Sequence, residues 1–195
     1  MIGITGGIAS GKSTVSQRLR ALGAVVLDAD VLSREVVLPH TPGWEQVKAH
    51  FPEAIKPDLS IDRRLLGEIV FGDESKRKLL EKIIHPEVLK RIQEEGDAAE
   101  REGKIVFADV PLLYEVGWEI FMEAVWVVYV DPQVQLRRLM KRNQLSEEEA
   151  RRIIASQLPL EVKVMRADQV IDNNGTLDQT WEQVDALWKE LEREN

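Results

Sequence analysis

The residues best suited to chemistry lie near the start of the chain. Gly6-Gly7-Ile8-Ala9-Ser10-Gly11-Lys12-Ser13-Thr14 fits the pattern G-x-x-x-x-G-K-[ST]. Glycines at that spacing let successive backbone N–H groups converge on one anion, and a helix starting at the last glycine adds the positive end of its dipole. In such a cradle Lys12 reaches the β- and γ-phosphates of a nucleotide, and the Ser13 hydroxyl ligates Mg²⁺. The motif needs a strand before it and a helix after it. The apolar run Met1 to Thr5 supplies the first, and Val15, Leu19 and Leu22, spaced i, i+4, i+7, supply the second.

Two further strands end in carboxylates. Lys104-Ile105-Val106-Phe107-Ala108-Asp109 and Val125 to Val130, followed by Asp131-Pro132, both read as buried strands with a terminal aspartate. Pro132 opens a helical stripe through Leu136, Leu139 and Met140, so Asp131 reads as a structural helix cap. Val110-Pro111-Leu112-Leu113 opens no helix. Asp109 is therefore the better candidate for the Mg²⁺ side of the site.

These residues require a scaffold of alternating strands and helices. Ala24-Val25-Val26-Leu27 is another short buried strand, ended by Asp28-Ala29-Asp30, and strand-helix-strand is the unit of parallel sheets. A helix through Val31, Leu32 and Val36 stops at Pro39 to Gly43. From there to about Gly103 no strand is convincing. The pattern gives a helix over Trp44 to Phe51, a connection at Pro52 to Asp58, and helical stretches over Leu65 to Val70, Leu79 to Ile84 and Val88 to Ile92. His85-Pro86 is expected to break the chain between the last two. An excursion of this kind inside an α/β core usually shapes a substrate pocket. The chain closes with a strand at Gln169-Val170-Ile171, the turn Asp172-Asn173-Asn174-Gly175, and a helix carrying Leu177, Trp181, Val184, Trp188 and Leu191 on one face. Both tryptophans read as core packing. The polar turn, with Asn174 and Gly175, is placed to accept a nucleotide base, because ligands sit outside the carboxyl ends of parallel strands.

Composition restricts the partners. A chain of 195 residues with 26 Lys+Arg against 34 Asp+Glu carries a formal net charge of −8, which argues against general binding to nucleic acid or anionic membrane. A bound polyanion therefore needs a local basic cluster, and Arg137, Arg138, Lys141 and Arg142 form the densest one. Ser146-Glu147-Glu148-Glu149 then opens a second helix as a capping box, so residues 137–166 read as a helical hairpin able to close over phosphates as a lid. With no cysteine, disulfides and thiolate metal sites are excluded. A strand beginning at the first residues leaves no room for a signal peptide, and the longest apolar run, Ala124 to Val130, is too short for a bilayer. A soluble cytoplasmic protein, monomeric or a small homo-oligomer, is expected.

The ordered set Thr5 to Thr14, Asp28-Ala29-Asp30, Ile84-His85-Pro86, Pro111-Leu112-Leu113-Tyr114-Glu115 and Ala167 to Gly175 closely resembles the dephospho-CoA kinase family over essentially the whole chain. The resemblance implies an α/β P-loop fold of the nucleoside-monophosphate-kinase kind. Its core is a five-stranded parallel sheet flanked by helices (about 1–35, 104–136 and 167–195), with a helical CoA-binding part (about 36–103) and a lid (about 137–166). It implies transfer of the γ-phosphoryl of ATP, with Mg²⁺, to the ribose 3′-hydroxyl of dephospho-CoA. One stretch departs from the family pattern: Ile55 to Arg63 lacks the Asp-Gly turn often seen before the Asp62-Arg63 pair.

An unactivated hydroxyl needs a carboxylate to orient it and take its proton late in a loose transition state. Asp30 is the choice that the chemistry and the resemblance share, with Asp28 free to cap the following helix. Lys12 and Arg142 complete the expected catalytic set. Gly6, Gly7, Ala9, Ser10, Gly11, Ser13 and Thr14, with Arg138, hold ATP. Arg63, His85, Pro111, Leu112 and Leu113 are the acceptor-side candidates, although packing accounts equally well for His85 and the apolar residues. Two rival readings stay open: another small-molecule kinase of the same loop class, and a non-catalytic NTP switch.

Overall fold

Ile2 and Ile4 alternate with Gly3 and Thr5 in a stretch buried on both faces, as a central parallel strand must be. A computed structural model describes residues 1–194. In chain order the elements are β1 (Ile2–Gly6), α1 (Lys12–Leu22), β2 (Val25–Asp28), α2 (Ala29–Glu35), α3 (Pro42–His50), α4 (Arg63–Phe71), α5 (Glu74–Arg101), β3 (Val106–Asp109), β4 (Ala124–Tyr129), α6 (Pro132–Asn143), α7 (Glu147–Ala155), α8 (Leu160–Met165), β5 (Gln169–Asp172) and α9 (Leu177–Glu194). Short 3₁₀ turns lie at Pro52–Ala54 and Trp118–Phe121.

The chain divides into two compact units, one of Met1–Leu27 with the chain from Gly96 onward, the other of Asp28–Glu95. In the first, the five-stranded sheet has the order β2-β3-β1-β4-β5. β1 pairs in parallel with β3 (Ile4 opposite Asp109) and with β4 (Gly6 opposite Val128). In that register β1 runs two residues past the end of β3, and Asp109 and the phosphate loop leave the same edge of the sheet. One core joins Ile2, Ile4, Phe107, Trp126 and Ile171 of the sheet to Val15 and Leu19 of α1 and Val184 and Trp188 of α9. Phe107 and Trp126 meet edge to face at 5.0 Å. Trp181, expected in the same core, is only half-buried and lies under the Arg18 guanidinium, 5.3 Å from its ring centre.

The hairpin of α6 and α7 forms as expected. Gln144 ends α6 in the left-handed region, and the Ser146–Glu149 capping box is complete, which holds the Glu149 carboxyl below its ordinary range through hydrogen bonds from Ser146. Leu136, Leu139 and Ala150 pack between the two helices, with Ile8 and Ala9 of the phosphate loop against them. Residues 137–166 thus belong to the first unit.

The second unit is helical, and its backbone pairing between Ile55 and Ile61 is an isolated bridge. Val37, Val47, Phe51, Ala54, Leu66 and Ile83 form its core. α5 corrects one expectation: His85-Pro86 does not break it, and Pro86 sits inside a helix of 28 residues. Proline within a helix costs about 3 kcal/mol. Ile83, Val88 and Ile92, all buried, each contribute about 1.5–3 kcal/mol and outweigh it.

The turn without Asp-Gly nevertheless closes. Leu59 N–H donates to Lys56 O at 2.9 Å, Asp58 Oδ1 accepts from Ser60 N at 3.0 Å, and Trp44 Nε1–H donates to Leu59 O at 2.7 Å. The cost appears at Leu59, held at φ 69°, a left-handed conformation that disfavours a side chain by about 1–2 kcal/mol. Leu59→Gly is expected to raise stability by about 0.5–1 kcal/mol, read as a higher midpoint in urea unfolding with an unchanged slope. A lower midpoint would mean that the leucine's packing outweighs its strain.

Candidate active site

Between β1 and α1 the chain turns tightly. Ser10 N–H donates to Gly7 O and Thr14 N–H to Gly11 O, each at 3.0 Å. Gly11 has φ 89°, and a Cβ there would collide with the Asn173 amide, so only glycine fits. Ala9 also takes a positive φ of 59°, backbone strain of the kind functional loops retain. Three of the loop's carbonyls face buried side chains: Gly6 O takes Lys163 Nζ at 3.3 Å, Ile8 O takes Gln135 Nε2 at 2.9 Å, and Ser10 O takes Asn173 Nδ2 at 2.7 Å. In the first turn of α1 the N–H groups of Lys12 and Ser13 precede any intrahelical acceptor. Ser10 Oγ is buried without a hydrogen-bond partner among the described residues, a condition native structures keep where a ligand or water completes the group. With its carbonyls turned aside and its amides uncommitted to the helix, the loop suits an anion.

Lys12 and Asp109 meet at the mouth of this loop. Lys12 Nζ pairs with Asp109 Oδ1, and Ser16 Oγ donates to Asp109 Oδ2 at 2.6 Å. Asp109, expected on the Mg²⁺ side, is 3% exposed with both oxygens engaged by protein. The Ser13 side is exposed to solvent. Among the described residues no three His, Cys, Asp or Glu side chains converge on a metal position. A hydroxyl and one carboxylate beside an anion cradle match an ion that arrives on nucleotide phosphates and keeps several waters, as Mg²⁺ does.

Two members of the basic cluster are placed differently. The Arg138 guanidinium stands beside Gly11, with Nη1 3.9 Å from where a Cβ there would be. Arg142, exposed, donates from Nε to Asn143 Oδ1 at 2.8 Å.

Asn174 and Gly175 lie past the end of β5. Asn174 Oδ1 accepts from Asp131 N–H and its Nδ2 donates to Asp172 Oδ1, both at 2.8 Å. Asp131 does occupy the N-cap position of α6, but its side chain caps nothing and instead accepts from the Tyr129 hydroxyl at 3.1 Å. Its neighbour Pro132 has no N–H to cap and already starts the helix. Leu113 is fully buried and lies against Gly3 beneath the sheet, whereas Leu112 is 40% exposed. Pro111 O accepts from Thr5 Oγ1 at 3.0 Å. Burial pushes the Tyr114 hydroxyl pKa up, and that hydroxyl donates to Arg166 O at 2.9 Å.

In the helical unit, Asp28 caps α2, accepting from Asp30 N–H at 2.9 Å and Val31 N–H at 3.2 Å. The Asp30 side chain is relieved of that task and exposed. Arg63 is exposed and donates to Arg34 O at 3.4 Å. His85 is half-buried on α5.

Gln135, Asn173 and Ser16 lie outside the residues expected at the site, and Lys163 was expected only as part of the positive charge of residues 137–166. For Asn173 the signal was present, since it stands inside the polar turn already singled out. The other three look like ordinary helix residues and are revealed only by their burial.

A phosphate loop on a five-stranded parallel sheet, with a basic helical hairpin packed against the loop, defines a P-loop protein of the kinase-like fold. Solved structures share this fold. A Thermus thermophilus protein superposes with a TM-score of 0.81 at 39% identity, over 97% of this chain and 96% of that one. Shikimate kinase from Bacteroides thetaiotaomicron, at 18% identity and a TM-score of 0.52 over 98% of this chain and 97% of that one, shares the fold alone. The family model described as dephospho-CoA kinase matches residues 1–179. Dephospho-CoA kinases of Symbiobacterium thermophilum and Shouchella clausii are each 49% identical over 191 residues, covering 97% and 96% of this chain and 80% and 97% of the relatives. The chain belongs to the dephospho-CoA kinase family.

Proposed function

We propose that the chain transfers the γ-phosphoryl group of ATP to the ribose 3′-hydroxyl of dephospho-CoA, giving coenzyme A and ADP. The observation that carries this reading is the family match over residues 1–179, joined to a loop whose carbonyls are pinned away from the anion position. The bond from the γ-phosphorus to the bridging oxygen breaks, a bond to the 3′ oxygen forms, and the hydroxyl proton passes to the Asp30 carboxylate. The backbone of Gly6 to Thr14 holds the triphosphate, while Lys12 leaves Asp109 to stabilise charge on the transferring group. Arg138, already beside the loop, and Arg142 on the same helix supply further positive charge. Bound Mg²⁺ would be held by Ser13 and the phosphates with Asp109 nearby, and it neutralises phosphate charge.

Arg63, His85, Pro111 and the exposed Leu112 are the acceptor-side residues of this proposal, and Asn174 with Gly175 borders the base. Leu113 is better accounted for by the core. The reading needs no nucleic acid and no membrane; among the described residues no helix is long and apolar enough to cross one. A cytoplasmic setting, as a monomer or small homo-oligomer, is part of the same proposal.

The test is transfer from γ-labelled ATP across a panel of alcohols: dephospho-CoA, nucleosides and shikimate. Dephospho-CoA is expected to exceed the others in kcat/KM by at least about a hundredfold, because sites that bind a substrate's polar groups reject analogues lacking them. Equal labelling of a nucleoside, or hydrolysis without labelled coenzyme, would overturn the assignment.

A further inference from the structure

The peptide bonds of the described residues are trans, and a trans peptide points its C=O and the next residue's N–H in opposite directions. Whatever pins a carbonyl therefore aims the following amide. In the phosphate loop three carbonyls are pinned by side chains from three separate elements: Gly6 O by Lys163 of α8, Ile8 O by Gln135 of α6 and Ser10 O by Asn173 after β5. The amides so aimed belong to Gly7, Ala9 and Gly11. The intervening amides are spoken for inside the protein, Ile8 N–H by Gln157 Oε1 at 2.9 Å and Ser10 N–H by Gly7 O at 3.0 Å.

The three pinning residues are 0% (Lys163), 5% (Gln135) and 7% (Asn173) exposed. Buried polar groups persist only where their partners are well placed. Asn173 is itself fixed, its Oδ1 accepting from Thr180 Oγ1 at 2.7 Å. Lys163 does more than neutralise a charge. Its ammonium meets Glu115 Oε1 at 2.8 Å and spends two further contacts on carbonyls, Gly6 O at 3.3 Å and Pro111 O at 3.2 Å. Pro111 opens the loop assigned to the acceptor side, so one buried cation fixes the root of the phosphate loop and that second loop together.

We infer that Gln135, Asn173 and Lys163 are positioning residues that set the peptide planes of the phosphate loop, and that Lys163 also sets the acceptor-side loop. The inference rests on the proposed reaction for the identity of the ligands. Gln135→Met removes one pin without adding charge or much changing length. Titration of the full chain with ATP is expected to show affinity weakened about tenfold, the scale of one charge-assisted hydrogen bond. The KM for dephospho-CoA should stay within about twofold, since no acceptor-side contact changes. Lys163→Met frees Gly6 O and leaves Pro111 O with the Thr5 hydroxyl as its remaining donor, so ATP affinity and acceptor KM are both expected to worsen. Unchanged ATP affinity in Gln135→Met, even with a lower Tm, would overturn the inference, as would a folded Lys163→Met variant altered toward one substrate only. Should Lys163→Met fail to fold, the Gln135→Met titration decides. An unsubstituted chain that does not bind ATP would overturn the functional reading itself.

Discussion

Asp30→Asn is expected to lower kcat by about 10²–10⁴-fold, the range of a lost general base, while ATP affinity measured by titration stays near that of the parent. The substitution keeps shape and hydrogen-bonding reach but removes the group that takes the hydroxyl proton. Its effect on folding should be slight, because Asp30 is exposed and Asp28 supplies the cap of α2. Asp28→Asn makes the matching control: asparagine caps about as well as aspartate, so Tm and kcat should change little. The reverse pattern, full turnover in Asp30→Asn and lost turnover in Asp28→Asn, would transfer the base role to Asp28.

Lys12→Met is expected to lower kcat by about 10²–10³-fold, the effect of removing one preorganised positive group from a developing charge. The structure adds a second consequence. Asp109 is 3% exposed and loses its cationic partner in this variant, keeping only Ser16. Breaking a buried pair by removing one member costs about 3–5 kcal/mol. Lys12 is itself partly solvent-accessible, which puts the expected loss at the lower end, a Tm drop of roughly 5–10 °C for a chain of this size. A fall in Tm alone therefore does not mark lost activity as structural. Adding Asp109→Asn removes the stranded charge, so the double variant should regain most of the Tm without regaining kcat. Recovery of turnover together with Tm would show that Lys12 serves stability and not transfer.

Much of this molecule is written locally. Glycine spacing, the helical stripe after it and the short β-branched runs determine the phosphate loop and its flanking elements, because each depends on neighbours within one or two turns of chain, and the alternation of strands with helices points to a parallel sheet. The capping box at Ser146 and Glu149 is legible for the same reason. What failed to show locally was decided by packing. Pro86 stays inside α5 because Ile83, Val88 and Ile92 are buried along it, a gain invisible to a rule about dipeptides. Leu59 holds a glycine's conformation because Trp44, fifteen positions earlier, fastens its carbonyl. Lys12 and Ser13 can be named from a motif, yet the direction in which the loop's amides point is set by Gln135, Lys163 and Asn173, which are more than a hundred positions away along the chain. Sequence determines which groups can bind phosphate; the tertiary fold decides how they are aimed, because a peptide plane is oriented by whatever holds its carbonyl, and those partners become neighbours only when the sheet and its helices close around them.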